Sequence, residues 1–184
     1  RGFRPWVGIC YHPFPKGAQG RTCCAMTIPT VPELSGYTRT STHAEVLAFL
    51  AELGRTGDPR MWRTSFGRTP EGRELPLVVV ADPPVQGPEA CRDRVRVMVM
   101  ATIHAGEVEG KEACLALLRD RGWPQDRVVA LFVPVYNADG NDRLGPNTRP
   151  GQNGPALTGI RTTASGLDLN RDYLKLEAAE SRAL

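Results

Sequence analysis

Nearly continuous apolar runs are the strongest structural signal in this chain. Three of them, Leu75–Ala81, Val95–Ile103 and Val128–Tyr136, are rich in Val and long enough for a strand. Runs of this kind predict strands that are covered on both faces of a sheet. Asp82 and the two prolines after it stop the first strand, because proline cannot donate a hydrogen bond to a neighbouring strand.

Two segments instead have the spacing of amphipathic helices. The first begins at a capping box of Thr42 and Glu45 and is closed by Gly54. The second, Glu109–Arg119, lies between the second and third apolar runs and ends before Gly122 and Pro124, which predicts a parallel strand–helix–strand crossover. The predicted core positions are Val46, Leu47, Phe49, Leu50 and Leu53 in the first helix, and Ala113, Cys114, Leu117 and Leu118 in the second.

These elements predict an α/β fold, an incomplete three-layer α/β/α arrangement with a mixed, largely parallel sheet. The polar segment Phe66–Arg73 predicts a hairpin corner before the first strong strand. Residues 137–165 form a loop of about 29 residues, long enough to predict a functional role. Residues 1–26 predict an irregular arm that is not part of the fold, residues 27–184 the folded unit, and residues 173–184 the start of a further helix.

Composition narrows the range of partners. Hydrophobic residues make up 41% of the chain, and the net charge of +3 is carried by scattered arginines, which argues against a nucleic-acid partner. No apolar stretch approaches the roughly 20 residues of a membrane helix, so no membrane partner is expected. Five cysteines, of which Cys23 and Cys24 are adjacent, make a poor disulfide framework and favour a reducing compartment. Cys114 is expected to be a buried free thiol, and no signal peptide is visible in a sequence that begins with Arg.

The candidate chemistry lies where the second strand ends. His104 and Glu107 follow Val95–Ile103 directly, at the edge of an open α/β sheet where ligands bind. Imidazole and carboxylate are zinc ligands, and Gly106 allows the tight turn that would aim both at one ion. The alternative interpretation of the pair alone is a surface His beside a solvated Glu.

The order of three motifs along the chain favours the zinc site over a surface His–Glu pair. His104 and Glu107 are followed by Asn137–Gly140 and then by Gly166–Arg171, and Ser65–Arg73 precedes them all. This order resembles the zinc carboxypeptidases, the carboxypeptidase A-like metallopeptidases, whose N-terminal portion residues 27–184 would represent. The resemblance implies a Zn²⁺-dependent hydrolase that cleaves a C-terminal peptide bond.

The resemblance also assigns roles to individual residues. It implies that His104 and Glu107 bind zinc and that Asp168 hydrogen-bonds the imidazole. It implies that Asn170 and Arg171 grip the terminal carboxylate of the substrate. Arg161 would stabilise the oxyanion of the attacked carbonyl. Arg143 and Arg149 are rivals for this last role because they lie in the same long loop.

Two parts of such a site have no match in this chain. The third zinc ligand and the general-base Glu of the family would both fall beyond Leu184, which predicts an incomplete domain that is inactive alone. Other residues are expected to lack a catalytic role, because His12 belongs to the arm, His43 to an exposed first helical turn, and Glu177 and Glu180 to a solvated helix. Asp172 would place a negative charge beside Arg171 and so weaken plain carboxypeptidase specificity.

Two alternatives stay open at this point. Aspartoacylases and succinylglutamate desuccinylases resemble the His-x-x-Glu and Asp-Leu-Asn-Arg pattern too, and they are zinc amidohydrolases that cleave acyl-amino acids. The expected partner is therefore a peptide or an acyl-amino acid with a free carboxylate. The other alternative is a non-catalytic, truncated module.

Overall fold

A computed structural model describes residues 28–87, 89–121 and 128–184 of the chain. The predicted arm over residues 1–26 lies outside these ranges, as do Gly122 and Pro124 at the predicted helix end. Within the ranges, no helix is both long and apolar enough to cross a bilayer.

A mixed four-stranded sheet forms the centre of the described fold. Its strands are β1 (Met61–Arg68), β2 (Glu74–Val80), β3 (Val95–Met100) and β4 (Val128–Val133), in the spatial order β1-β2-β4-β3. The predicted α/β class and the mixed sheet are confirmed, and β3 and β4 are parallel as the crossover predicts. The expectation of a largely parallel sheet is wrong for the described strands, because β1 pairs with β2, and β2 with β4, in antiparallel fashion.

The predicted hairpin corner explains the first antiparallel pair. Thr69 N donates to Arg73 O at 2.9 Å and closes a short turn, and such a turn can join only antiparallel neighbours. The corner is shorter than predicted, since Phe66–Arg68 belong to β1. The register shifts between Ser65 and Gly67, where β1 carries an irregularity.

Two helices cover one face of the sheet. Helix α2 (His43–Arg55) begins at the predicted capping box: Thr42 Oγ1 accepts from Glu45 N at 3.3 Å, and a carboxylate oxygen of Glu45 accepts from Thr42 N at 2.8 Å. Helix α3 is Glu109–Asp120. Core residues from both helices pack on β2 and β4, namely Val46, Phe49, Leu50, Leu53, Cys114, Leu115, Leu118, Val78, Val80, Ala130 and Phe132.

The buried face of α3 differs from the prediction. Cys114 is a buried free thiol, as expected, and Leu118 is buried, but Ala113 and Leu117 are exposed. Lys111 and Leu115 take their places in the interior. Lys111 can be buried there because its Nζ donates to Asn141 Oδ1 at 2.6 Å and to the carbonyl of Ser41.

Short elements cover the opposite face. Residues 82–87 and 89–94, with a 3₁₀ turn at Glu89–Cys91, pack Val85 and Cys91 on Val79 and Val129. The remaining elements are α1 (Val31–Leu34), α4 (Ala138–Asp142), β5 (Gly145–Pro146), β6 (Leu157–Thr158), a 3₁₀ turn at Leu169–Arg171 and α5 (Ala179–Ala183). The expected loop 137–165 thus contains α4, β5 and β6, and the predicted C-terminal helix begins later than expected.

Strand β3 was predicted to be covered on both faces and is not. It lies at the edge of the described sheet, where Val95 is 64% exposed, Val97 42% and Met98 48%. An apolar run predicts burial only if other parts of the structure supply the covering surface, and the described residues do not supply it for β3.

Candidate active site

The carboxyl ends of β3 and β4 meet at one edge of the sheet and begin the site. Beyond β3 the chain still follows β4, because Asn137 N donates to Thr102 O at 3.0 Å. Thr102 has a positive φ of 61°, an unfavourable conformation for a β-branched residue, and its hydroxyl donates to Pro134 O at 3.0 Å. This local turn redirects the backbone just before His104.

His104 and Glu107 face each other across a tight turn. Glu107 N donates to His104 O at 2.9 Å, and the side chains meet with His104 Nδ1 3.0 Å from Glu107 Oε1. His104 is buried, whereas the side chain of Glu107 is 43% exposed, so the pair opens to solvent on its Glu107 side. The two predicted zinc ligands are therefore neighbours with converging polar atoms.

The second imidazole nitrogen meets Asp168. His104 Nε2 lies 3.0 Å from Asp168 Oδ1, as the sequence interpretation expects. Arg161 donates to the other oxygen, with Nε at 3.0 Å and Nη2 at 2.9 Å from Asp168 Oδ2. Burial raises the pKa of Asp168, but the hydrogen bonds from His104 and Arg161 outweigh burial and hold that pKa below its usual range. Asp168 is therefore an ionised anchor for both side chains.

The Asn137–Gly140 motif holds the segment that carries Arg161. Asn137 caps α4 by accepting from Gly140 N at 3.0 Å, while its Nδ2 donates to Arg161 O at 3.2 Å and to Thr162 O at 3.1 Å. The motif is thus a buried support and does not itself line the cleft.

Asp139 of the same motif ties the hairpin corner to α4. It is fully buried, accepts from Thr69 Oγ1 at 2.6 Å, and is paired with Arg73 Nη1 at 2.7 Å. The hydrogen bond with Glu71, followed by that with Asp139, raises the pKa of Arg73. These contacts explain why the corner residues and the Asn137–Gly140 motif occur together in the sequence.

A cleft of about 230 Å³ opens above His104. Of the three rival arginines, Arg149 and Arg161 both line it, whereas Arg143 pairs with Glu71 outside it. Arg149 Nη2 lies 2.7 Å from Glu107 Oε1, a contact that sequence reasoning did not foresee. The other cleft residues are His104, Gly106, Thr148 and Pro150.

Gly106 is required for a reason other than the predicted one. Its φ is not positive, so the turn itself does not demand glycine. A Cβ at this position would instead lie 3.1 Å from the Cβ of Arg149 and 3.2 Å from Gly159 O. The missing side chain leaves room for the stem of Arg149.

Asn170 and Arg171 come only partly into the site. Asn170 N donates to Asp168 Oδ1 at 3.0 Å, which places the backbone of the pair beside the cluster. The side chain of Arg171 is exposed and donates to Asn170 O at 3.0 Å, so it does not contact His104 or Glu107.

The sequence predicts that Asp172 places a negative charge beside Arg171, and the structure directs that charge elsewhere. Asp172 is buried, and its carboxylate accepts from Glu177 N at 2.9 Å and Ala178 N at 2.8 Å. Burial raises the pKa of Asp172, but these backbone hydrogen bonds outweigh burial and lower it overall. Its role is to hold a turn, because its charge is directed at backbone amides.

Two other expectations are wrong because tertiary contacts bury the residues. His43 is 6% exposed, with Nε2 2.7 Å from Glu74 O, and does not lie in an exposed helical turn. Glu180 is fully buried, whereas Glu177 is exposed as expected, although it precedes α5. Neither His43 nor Glu180 contacts the cleft residues.

The described residues contain no group of three or more His, Cys, Asp or Glu side chains that could hold a metal ion. The two predicted ligands, His104 and Glu107, have no third such side chain beside them that would complete a metal site among these residues. Asp168 is directed at the opposite imidazole nitrogen and supports His104 from behind.

Comparison with known families shows which family this chain belongs to. A family model for zinc carboxypeptidases matches residues 46–183, which is most of the chain and includes every residue of the cleft. The chain belongs to the zinc carboxypeptidase family.

Curated relatives agree with this membership. The chain is 26% identical over 171 residues to carboxypeptidase 2 of Trichophyton tonsurans, covering 86% of this chain and 28% of that protein. It is 27% identical over 173 residues to a protein of Trichophyton verrucosum named as a carboxypeptidase 2, covering 86% of this chain and 30% of that one. The chain thus spans less than a third of the length of these family members.

Solved structures share the fold. A metallo-carboxypeptidase from Burkholderia cenocepacia superposes with a TM-score of 0.58 at 23% identity, covering 78% of this chain and 37% of that one. A metallo-carboxypeptidase from Pseudomonas aeruginosa gives a TM-score of 0.53 at 20% identity, covering 78% and 35%. At these identities the likeness concerns the fold of the family.

Proposed function

We propose that this chain carries part of the active site of a zinc-dependent metallocarboxypeptidase, which hydrolyses the C-terminal peptide bond of a peptide. Membership of the zinc carboxypeptidase family supports the reaction class. The geometry around His104 supports the assignment of residues, and one feature of that geometry carries the proposal.

That feature is an imidazole placed between two carboxylates. His104 Nε2 and Nδ1 each lie 3.0 Å from a carboxylate oxygen, one of Asp168 and one of Glu107. A neutral imidazole has a single N–H and can donate to only one of them. If Nε2 donates to Asp168, the lone pair of Nδ1 faces an oxygen lone pair of Glu107. A cation shared by Nδ1 and Glu107 would turn this repulsion into coordination.

The donor set fits zinc in its chemistry. Neutral imidazole and carboxylate are common zinc ligands, and an Asp behind the ligating His is a usual support for such a site. Zinc bound here would supply a Lewis acid for water activation and for polarisation of the scissile carbonyl. Catalytic zinc sites take three protein ligands, so the proposal needs a third ligand and a general base from outside the described residues.

The remaining residues bind and orient the substrate. Asp168 holds Arg161 by two nitrogens, which leaves the guanidinium at the cleft wall to stabilise negative charge developing on the carbonyl oxygen. Asn170 and Arg171 receive the terminal carboxylate. The exposed guanidinium of Arg171 can donate two parallel N–H groups to its two oxygens. This chain alone is expected to bind substrate and zinc weakly and to be inactive in hydrolysis.

Zinc affinity tests the proposal without requiring activity. Asp168→Asn should weaken zinc binding by about 10- to 100-fold, because the support for the His104 tautomer is lost. His104→Ala should abolish binding at the site. Isothermal titration with Zn²⁺ measures both, and Asp120→Asn, a carboxylate change on the exposed end of α3, is the matched control.

Hydrolysis is measured separately, in a longer form that extends to the length of the curated relatives. The wild-type long form should cleave a short peptide, and His104→Ala should not. Zinc affinity and hydrolysis that are both unchanged in His104→Ala would contradict the proposal.

A further inference from the structure

The inference concerns Arg149 and deepens the proposed function, on which it rests. We propose that Arg149 is a substrate-positioning residue that gives the cleft a preference for peptides with an acidic residue next to the C-terminal one. The two arginines of the cleft, Arg149 and Arg161, have different ion-pair partners.

Among the described residues, two nitrogens of Arg161 bind Asp168, whereas the guanidinium of Arg149 makes a single ion pair. Arg161 donates from two nitrogens to Asp168 Oδ2, and Asp168 has no part in the cation-binding pair. Arg149 has one ion pair, 2.7 Å from Nη2 to Glu107 Oε1. That same oxygen is the one 3.0 Å from His104 Nδ1. The partner of Arg149 is therefore the atom that the proposed function assigns to the cation.

Cation binding by Glu107 would release Arg149. A carboxylate that coordinates a divalent ion attracts a guanidinium less strongly. The divalent ion and the guanidinium of Arg149 would also repel each other, because both would lie beside Glu107. Arg149 is 37% exposed in its side chain and lines the cleft, so the released guanidinium faces the substrate space. It then needs an anionic partner, and a carboxylate on the substrate matches its planar fork.

The position of Arg149 selects which substrate residue it meets. Asn170 N and His104 Nε2 contact the same oxygen of Asp168, so the residues proposed for the terminal carboxylate lie on the Nε2 side of the imidazole. Arg149 lies on the opposite, Nδ1 side. A peptide with its C-terminus at Asn170 and Arg171 would cross the imidazole before it reaches Arg149, which places the penultimate side chain there.

A second pocket lies beside the cleft on the side of Arg149. Arg149 is shared with a neighbouring groove of about 350 Å³, whose other polar side chains include Asn147, Gln152 and Asn153. Gly106 contributes to the arrangement, because a side chain at that position would collide with the stem of Arg149. Arg149 thus lines both the cleft above His104 and the neighbouring groove.

Two peptides that differ in one charge test the inference. The probes are N-acetylated tripeptides with either Glu or Gln at the penultimate position, titrated calorimetrically into the full chain at saturating Zn²⁺ and low ionic strength. The wild-type chain should bind the Glu peptide about tenfold more tightly, as expected for one partly desolvated Arg–carboxylate pair. Arg149→Gln should reduce that ratio to about one while the affinity for the Gln peptide stays within roughly twofold.

Two further variants separate charge from position. Arg149→Lys should restore only part of the ratio, because Lys keeps the charge but loses the fork. Arg143→Gln removes the same charge from the same loop but outside the cleft, where Arg143 pairs with Glu71, and should keep the wild-type ratio. A titration with Zn²⁺ alone gives a second readout: Arg149→Gln should bind the ion roughly two- to fivefold more tightly, since a competing cation has left Glu107.

The outcomes distinguish this inference from the proposed function. A wild-type chain that binds both peptides equally, or neither, overturns the inference, as does a Glu preference that survives in Arg149→Gln. Failure of the proposed function would be seen elsewhere, as zinc binding that does not depend on His104. A zinc site that depends on His104, together with no peptide preference, would leave the proposed function standing and remove the role of Arg149.

Discussion

At the scale of single residues, burial decides what each titratable group does. Glu180 is fully buried, and neither of its carboxylate oxygens has a hydrogen-bond partner among the described residues. Burial raises the pKa of Glu180 above its usual range, and nearby Asp139 and Asp172 raise it further. The folded chain therefore favours the protonated form of this group.

Glu180→Gln should stabilise the chain in a pH-dependent way. The folded pKa of Glu180 is raised, so its contribution to stability is complete below the unfolded value of 4.5 and is lost as pH rises through the folded pKa. The free energy of unfolding of Glu180→Gln should exceed that of the wild type by about 1–3 kcal/mol more at pH 8 than at pH 4. Urea denaturation at both pH values measures the difference.

Glu177→Gln is the matched control, because Glu177 is exposed three residues earlier in the same segment. Its effect should be the same at both pH values. A Glu180→Gln variant with an equally flat profile would contradict a raised pKa of Glu180 in the folded chain.

The pKa of Lys111, in helix α3, is also shifted by burial. It is fully buried, and loss of hydration lowers its pKa to about 8. A lysine in a sequence pattern is normally assigned to the solvated face of a helix. Here Lys111 Nζ donates hydrogen bonds to the carbonyl of Ser41 and to Asn141 Oδ1, which lets the side chain lie on the buried face of α3.

At the scale of elements, the site depends on loops that approach each other more closely than side chains would permit. Gly159 lies between the turn at His104 and the end of α4: a Cβ there would be 2.6 Å from Gly140 O and 2.8 Å from the Cβ of Ala105. Ala105 N donates to Ile160 O at 3.2 Å, and Ile160 N to Gly140 O at 3.0 Å, across this contact. The residue next to His104 is therefore held directly by the Arg161 segment.

Gly159→Ala should destabilise the chain and weaken zinc binding together. A methyl group cannot fit against the carbonyls of Gly140 and Ala105 unless the two loops move apart, which should cost about 1–3 kcal/mol. Thermal denaturation and zinc titration check the two effects. Gly54→Ala is the control, because Gly54 lies in α2 with open space around it and should stabilise the helix by about 0.5–1 kcal/mol. A zinc affinity of Gly159→Ala equal to that of the wild type would show that the loop contact does not position His104.

At the scale of the whole molecule, β3 leaves one side of the described sheet open. Val95, Val97 and Met98 are all more than 40% exposed, and β3 has β4 as its neighbour on one side only among the described strands. An exposed apolar edge strand presents unpaired backbone groups to other molecules. The chain as given should therefore associate with itself.

Val97→Lys should reduce this association, because a charge on an edge strand opposes pairing with a second copy. Sedimentation velocity over a range of concentrations measures the effect, which should appear as a shift towards monomer. Leu174→Lys is the control: Leu174 is 96% exposed but lies outside the sheet, so the same substitution there should leave association unchanged. A wild-type chain that is monomeric at all concentrations would contradict this prediction.

Features that depend on neighbours in the chain were predictable from the sequence. The cap of α2 is formed by residues three positions apart, and the parallel β3–α3–β4 crossover follows from the order of its elements. His104 and Glu107 meet because a four-residue turn brings them together. The pattern of motifs also indicated the family correctly, since each motif is short and its chemistry is local.

Tertiary structure alone decided the rest. The contact between Arg149 and Glu107 joins residues 42 positions apart through a loop with no periodicity, and the burial of His43, Lys111 and Glu180 depends on elements that pack on them from elsewhere. Hydrophobic patterning reports which positions can be buried. Whether other elements cover such a position is decided by long-range packing: Glu180 is covered and Val97 is not. The free energy of burial depends on the area that is removed from water, and that area is set by the covering elements as much as by the residue.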